Sequence, residues 1–180
     1  MSRIAIPSLA EAPVETHATL EGVAKRLGWT PALFRFMALS PNTLAAFVAL
    51  SGTLSRTLDV ATIESMGLAV SEDSGCKYCA QSHVFLGSWL AKLDTGELDL
   101  NREGKSRDPK RAAAVRFAKA IADRRGKVSD EQLADVRAAG FTDGDIVAIA
   151  GLTAQFLYTN FMSNISQVEL DFPDVAPAHA

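Results

Sequence analysis

Residues 64–83 read ESMGLAVSEDSGCKYCAQSH and place a carboxylate (Glu64), two thiols (Cys76 and Cys79) and an imidazole (His83) in one short stretch that holds both cysteines of the chain. A helix running from Ser74 onward turns roughly 100° per residue, so Cys76, Cys79 and His83 fall at about 0°, 300° and 340° and share one stripe. Ser74 serves as N-cap in this reading, leaving Cys76 in the first turn, where the positive helix end favours a thiolate by about 0.3–1 kcal/mol. Cys79 and His83 are four residues apart, the spacing at which helical side chains meet, so the ring can accept the thiol proton. That makes Cys79 the expected nucleophile. Two cysteines three apart on a helix have Cα atoms about 5 Å apart, within reach of a disulfide. Glu64 joins them only if the chain turns back on itself around residues 71–75.

Outward from this stretch the signals are helical. Leu20, Val23, Ala24 and Leu27 recur at helical spacing, which predicts a helix over Glu15 to Leu27. Thr30 before Pro31 and Ser40 before Pro41 read as N-caps followed by proline in the first turn. Further helices are expected over Pro41 to Arg56, Val60 to Val70, Ser74 to Lys92 and Pro109 to Arg125. Ser129 with Gln132, and Thr142 with Asp145, resemble capping boxes opening helices Asp130 to Ala139 and Asp143 to Val168, with Gly140 ending the first. Residues Asp94 to Asp108, rich in charge and glycine, read as a surface loop, and Asp171 to Ala180, with Pro173 and Pro177, as an extended or mobile tail. No stretch alternates apolar and polar residues between hairpin turns, so the fold class is all-α.

The chain has 180 residues, 48% hydrophobic and 22% charged, with a net charge of −3, which suits one soluble globular domain and gives no reason to expect nucleic acid or an anionic membrane as partner. Lys105, Lys110 and Arg111, and Arg124, Arg125 and Lys127, sit among acids without interleaved aromatics and read as solvated helix faces. The opening residues lack the apolar core of a secretory signal. Met37 to Leu54 is uncharged but carries Ser40, Asn42, Thr43, Ser51 and Thr53, so it reads as a buried helix rather than a membrane span. A cytoplasmic location follows, where a close cysteine pair points to redox or metal chemistry rather than a structural staple. Haem attachment fails because Ala80, not histidine, follows Cys79. Zinc would need a fourth ligand beside Cys76, Cys79 and His83, and only His17, His179 or an acid such as Glu64 is left to supply it. No glycine-rich phosphate loop signals flavin or nicotinamide, so no cofactor is expected.

The spacing Glu64, eleven residues, Cys76, two, Cys79, three, His83 resembles the alkylhydroperoxidase D-like branch of the carboxymuconolactone decarboxylase superfamily. The similarity is strongest from Thr62 to Gly87, with a looser likeness that includes Phe156, Asn160 and Asn164. The resemblance implies a compact multi-helix domain over 15–170, between an N-terminal extension of 1–14 and the tail 171–180, with the CxxC at the start of a central helix. It implies a thiol-dependent hydroperoxidase in which Cys79 is the peroxidatic nucleophile, Cys76 the resolving thiol, His83 the base and Glu64 the acid that orients it. Its partners would be a hydroperoxide, an external dithiol or reductase, and further copies of the chain in a trimer or hexamer. Some members carry a second histidine where this chain has Tyr78, which reads instead as a hydrogen-bond donor or an aromatic at the site rim. Two other readings share the sequence: a redox sensor or adaptor without turnover, and a decarboxylase-like enzyme, although members of that kind generally do without the CxxC.

Overall fold

The computed structural model describes residues 2–172. Within them the chain is helical without strands: a short 3-10 turn at Val14–Thr16 leads into α1 (His17–Leu27), α2 (Ala32–Met37), α3 (Pro41–Leu54), α4 (Val60–Asp73), α5 (Lys77–Trp89), α6 (Thr95–Arg102), α7 (Pro109–Arg124), α8 (Asp130–Ala138) and α9 (Asp143–Ser166). The all-α expectation holds. Ser129 with Gln132 and Thr142 with Asp145 form reciprocal capping boxes, in each of which two side-chain oxygens accept from two backbone N–H groups that the first turn would leave unmatched.

The axis of the fold is α4. It packs against α5, α6, α7 and α9, and every residue from Thr62 to Ser71 is buried. On one side Met66 and Val70 join Val115, Phe117, Val136, Ile149, Leu152 and Phe156 of α7, α8 and α9 in the larger apolar core. A second core gathers Leu20, Leu33, Met37, Leu44 and Phe47 of α1 to α3, and the wall that closes it contains Cys76, Tyr78 and Cys79. The thiols therefore lie inside, among apolar neighbours.

Four sequence expectations need correction. First, residues 94–108 are not a bare loop: α6 forms there, capped by Asp94, which accepts from the Glu97 N–H. Its buried carboxylate is well partnered. Glu97 is buried and accepts from Ser106, Asn101, Arg111 and the Arg107 N–H, while Arg107 grips Asp94 with two hydrogen bonds of 2.7 and 3.0 Å. Second, α5 starts at Lys77 rather than Ser74. Ser74 closes α4, Gly75 turns the chain at φ 62°, and Cys76 is the N-cap. Third, Thr30 does not cap α2: Pro31 holds the N-cap position, and neither it nor Ser40 at α3 makes a side-chain cap bond. Fourth, Asp171 and Phe172 are docked. The Asp171 carboxylate accepts from the Ala32 N–H and from the Tyr78 hydroxyl, and Phe172 packs against Trp29, Tyr78 and Phe85. Residues 173–180, with Pro173, Pro177 and His179, lie outside the described residues.

The reading of Met37 to Leu54 as the uncharged tract omits a longer one, 146–168. It forms most of α9, which by length and composition alone is apolar enough to cross a membrane. One face of α9 meets α4 and α7, which explains the composition as that of a core helix. The opposite face leaves Val147, Phe161 and Ile165 exposed.

Candidate active site

Three helices build the site. From α4 come Glu64, Gly67 and Ser71, from α5 and its cap come Cys76, Cys79 and His83, and from α9 come Phe156, Thr159, Asn160 and Ser163. The turn at Gly75 runs α5 back along α4, so Glu64, far from His83 in sequence, faces it. His83 Nδ1 and Glu64 Oε2 are 2.7 Å apart, with the two side chains 12% and 9% exposed. A carboxylate only accepts, so Nδ1 carries the proton and Nε2 is left for chemistry. The ring stands edge-on to Phe156, with centroids 5.2 Å apart. Its other neighbour is the Cα of Gly67: a Cβ there would overlap the imidazole atoms.

Cys76 and Cys79 are both reduced and buried. As N-cap, Cys76 does for α5 what serine or aspartate usually does: its sulfur accepts from the Cys79 N–H at 3.3 Å. Cys76 is held down from 9.0 to about 6, chiefly by the hydrogen bond from the Cys79 thiol, with burial opposing and Ser163, the Cys79 N–H and the His83 charge assisting. The Cys79 thiol is pushed up, first because it gives its proton to Cys76, then by burial and by the charge on Cys76. This reverses the acidity order expected from the His83 spacing. The N–H that Cys79 gives to the Cys76 sulfur favours the thiolate on Cys76.

The structure pairs Glu64 with His83 and Cys76 with Cys79, and sets both pairs along α5 where it runs beside α4. Tyr78 is apart from them: its hydroxyl donates to Asp171 at 2.9 Å and accepts the Leu33 N–H at 3.3 Å, and burial followed by the Asp171 charge pushes its pKa up, so the phenol stays protonated. Among the described residues no three His, Cys, Asp or Glu side chains are gathered as a metal ion would require. A cleft of about 400 Å³, lined by Gly75, Lys77, Tyr78, Ser163, Asn164, Gln167 and Val168, opens beside the N-terminus of α5. Ser163 lines this cleft and also acts on both thiols, lowering the pKa of each.

Sequence reasoning did not give Gly67, Ser71, Thr159 or Ser163 a place in the site, and it noted Asn160 only within the looser likeness. The signal was present in α9, where Phe156, Thr159, Asn160 and Ser163 repeat at three- and four-residue spacing and put polar groups on the face turned inward.

An all-helical domain with a thiol pair, an imidazole and a carboxylate enclosed between three helices is the class that fold and site define. Among solved structures, a peroxidase-related protein with an alkylhydroperoxidase AhpD core from Ralstonia eutropha JMP134 superposes with a TM-score of 0.85 at 26% identity, covering 94% of this chain and 92% of that one. A peroxidase-related protein from Silicibacter sp. TM1040 gives 0.80 at 23% identity, with the same coverages of 94% and 92%. A cysteine-to-alanine variant of the debrominase Bmp8 in complex with 2,3,4-tribromopyrrole gives 0.80 at 16% identity, covering 95% and 94%. No family model and no curated protein matches the sequence. The chain has the alkylhydroperoxidase D-like fold of the carboxymuconolactone decarboxylase superfamily.

Proposed function

We propose that the protein is a thiol-dependent hydroperoxidase, a disulfide oxidoreductase that reduces organic or hydrogen peroxide with the Cys76–Cys79 pair. The observation that carries this reading is the hydrogen bond between Glu64 on α4 and His83 on α5, where His83 stands one turn beyond Cys79. His83 Nε2 takes the proton released by the pair, leaving the Cys76 thiolate hydrogen-bonded to Cys79 S–H. Cys79 sulfur attacks the terminal peroxide oxygen and passes its proton to Cys76. The S–O bond forms, the O–O bond breaks, and the leaving alkoxide takes the proton from His83. Cys79 is now a sulfenic acid. Cys76 sulfur displaces its hydroxyl, His83 moves the Cys76 proton to the departing oxygen as water, and a disulfide results. An external dithiol or reductase restores the pair by thiol–disulfide exchange, and no cofactor of the protein's own takes part. Cys79 is assigned the attack because the leaving oxygen must reach His83, and Cys79 is one helical turn from that ring whereas Cys76 is two.

The acidity order favours a second reading, direct attack by the Cys76 thiolate with Cys79 resolving. Rapid mixing of reduced single-cysteine variants with a hydroperoxide distinguishes them. In the first reading Cys79→Ser is inert and Cys76→Ser consumes one equivalent without recycling; in the second the two results exchange. Undiminished turnover in both variants removes the function. The same proposal places the protein in the cytoplasm as a homo-oligomer, a trimer or hexamer, and the exposed apolar face of α9 supports a contact between copies.

A further inference from the structure

Asn160 is fully buried at the seam of α4 and α9. Its Oδ1 accepts the hydroxyl proton of Ser71 at 3.2 Å, but its Nδ2, also sealed from solvent, has no hydrogen-bond partner among the described residues. Buried donors are seldom left unpaired, because the water they gave up is not replaced. The position of this one is fixed by its neighbours. One turn before it, Phe156 lies against the His83 ring; three residues after it, Ser163 acts on both thiols and lowers the pKa of each. Across the seam, Ser71 also holds the α5 cap, since its carbonyl accepts the Cys76 N–H at 2.9 Å. Oδ1 is committed to Ser71, so Nδ2 is the group left over, on a residue that lies along α9 between Phe156 and Ser163.

We infer that Asn160 Nδ2 is the donor that binds the transferred oxygen: it holds the terminal oxygen of the hydroperoxide in line with the attacking sulfur and keeps its hydrogen bond to the same oxygen in the sulfenic acid. The inference rests on the hydroperoxidase reading and adds a catalytic residue to it. The chemistry balances as before. Sulfur loses two electrons, the O–O bond gains them, His83 supplies the proton of the leaving alcohol, and Asn160 neither gains nor loses a proton. Its contribution is a fixed dipole aimed at an oxygen whose charge changes during transfer, and it requires no reorganisation when the bond breaks.

The test compares two reactions of the same reduced thiols by stopped flow: oxidation by tert-butyl hydroperoxide or hydrogen peroxide, and exchange with a small aromatic disulfide, which transfers no oxygen. Asn160→Ala is expected to slow oxidation by about 10- to 100-fold, toward the range seen when one preorganised donor is removed, and to leave exchange unchanged. Asn160→Asp keeps the acceptor for Ser71 and removes the donor; it reads the same difference if the alanine variant does not fold. An equal fall in both reactions, or no fall in oxidation, overturns the oxygen-binding role and leaves Asn160 as packing. A wild-type protein that exchanges disulfides but reacts with neither hydroperoxide overturns the hydroperoxidase reading itself, and that result is visible without any variant.

Discussion

A methyl group at position 67 would occupy the volume of the His83 ring, so the absent side chain of one glycine sets where the imidazole can lie. Gly67→Ala brings two opposed effects. Helix propensity favours alanine by about 1 kcal/mol in a helix interior, whereas overpacking a dense core costs about 1–3 kcal/mol. The second wins, and the ring yields before the α4 backbone does. Expected outcomes are a modest fall in melting temperature and a loss of peroxide turnover of about 100-fold, the lower range for a displaced general acid–base; wild-type turnover would show that the position of His83 is not what matters. The thiols supply a second measurement. A thiol lowered to about 6 is protonated below that pH and a thiolate above it, so thiolate absorbance of the reduced protein should rise through pH 6 rather than 9. Cys79→Ala removes the largest cause of the lowering, and its titration should move upward.

At the scale of the element, the end of the described chain acts as a strap. Tyr78 ties α5 to the α2 backbone and to Asp171, and Phe172 completes an aromatic cluster with Trp29 and Phe85. Tyr78→Phe leaves the Leu33 N–H and one Asp171 oxygen without this partner, a loss of about 1–3 kcal/mol. Denaturant unfolding should register that loss while peroxide reduction stays unchanged; a rate loss at constant stability would place the hydroxyl in the chemistry. The helices themselves were largely legible: α3, α4, α7, α8 and α9 start where proline, aspartate, serine or threonine caps stand in the sequence. Helix α6 was hidden because its charges looked solvated, and only three-dimensional proximity reveals that Glu97, Arg107 and Arg111 satisfy one another. The start of α5 was misplaced for a related reason. Cys76 and Ser74 are both able to cap, and the choice depends on where α4 runs out and Gly75 turns. The spacing of Glu64, Cys76, Cys79 and His83 was readable, whereas the acidity order was not, because it depends on a sulfur-to-sulfur hydrogen bond.

For the whole molecule, the face of α9 that stands largely uncovered among the described residues is the feature most exposed to change. Val147, Phe161 and Ile165 stand out on it at 72%, 59% and 58% exposure, far above the apolar residues of the inner face. If copies of the chain meet there, Phe161→Glu places a charge in the contact and sedimentation should show a smaller particle with the helical content intact. An unchanged mass would rule this face out.

Helix α4 is enclosed by four others and carries the carboxylate at its buried middle. To shift along its own axis it would have to break every one of those seams together, so Glu64 and the ring it holds form a stationary frame. The travel needed to join and part the sulfurs must come instead from the hinge at Gly75 and the cap it carries, a few atoms at the rim of an otherwise immobile interior.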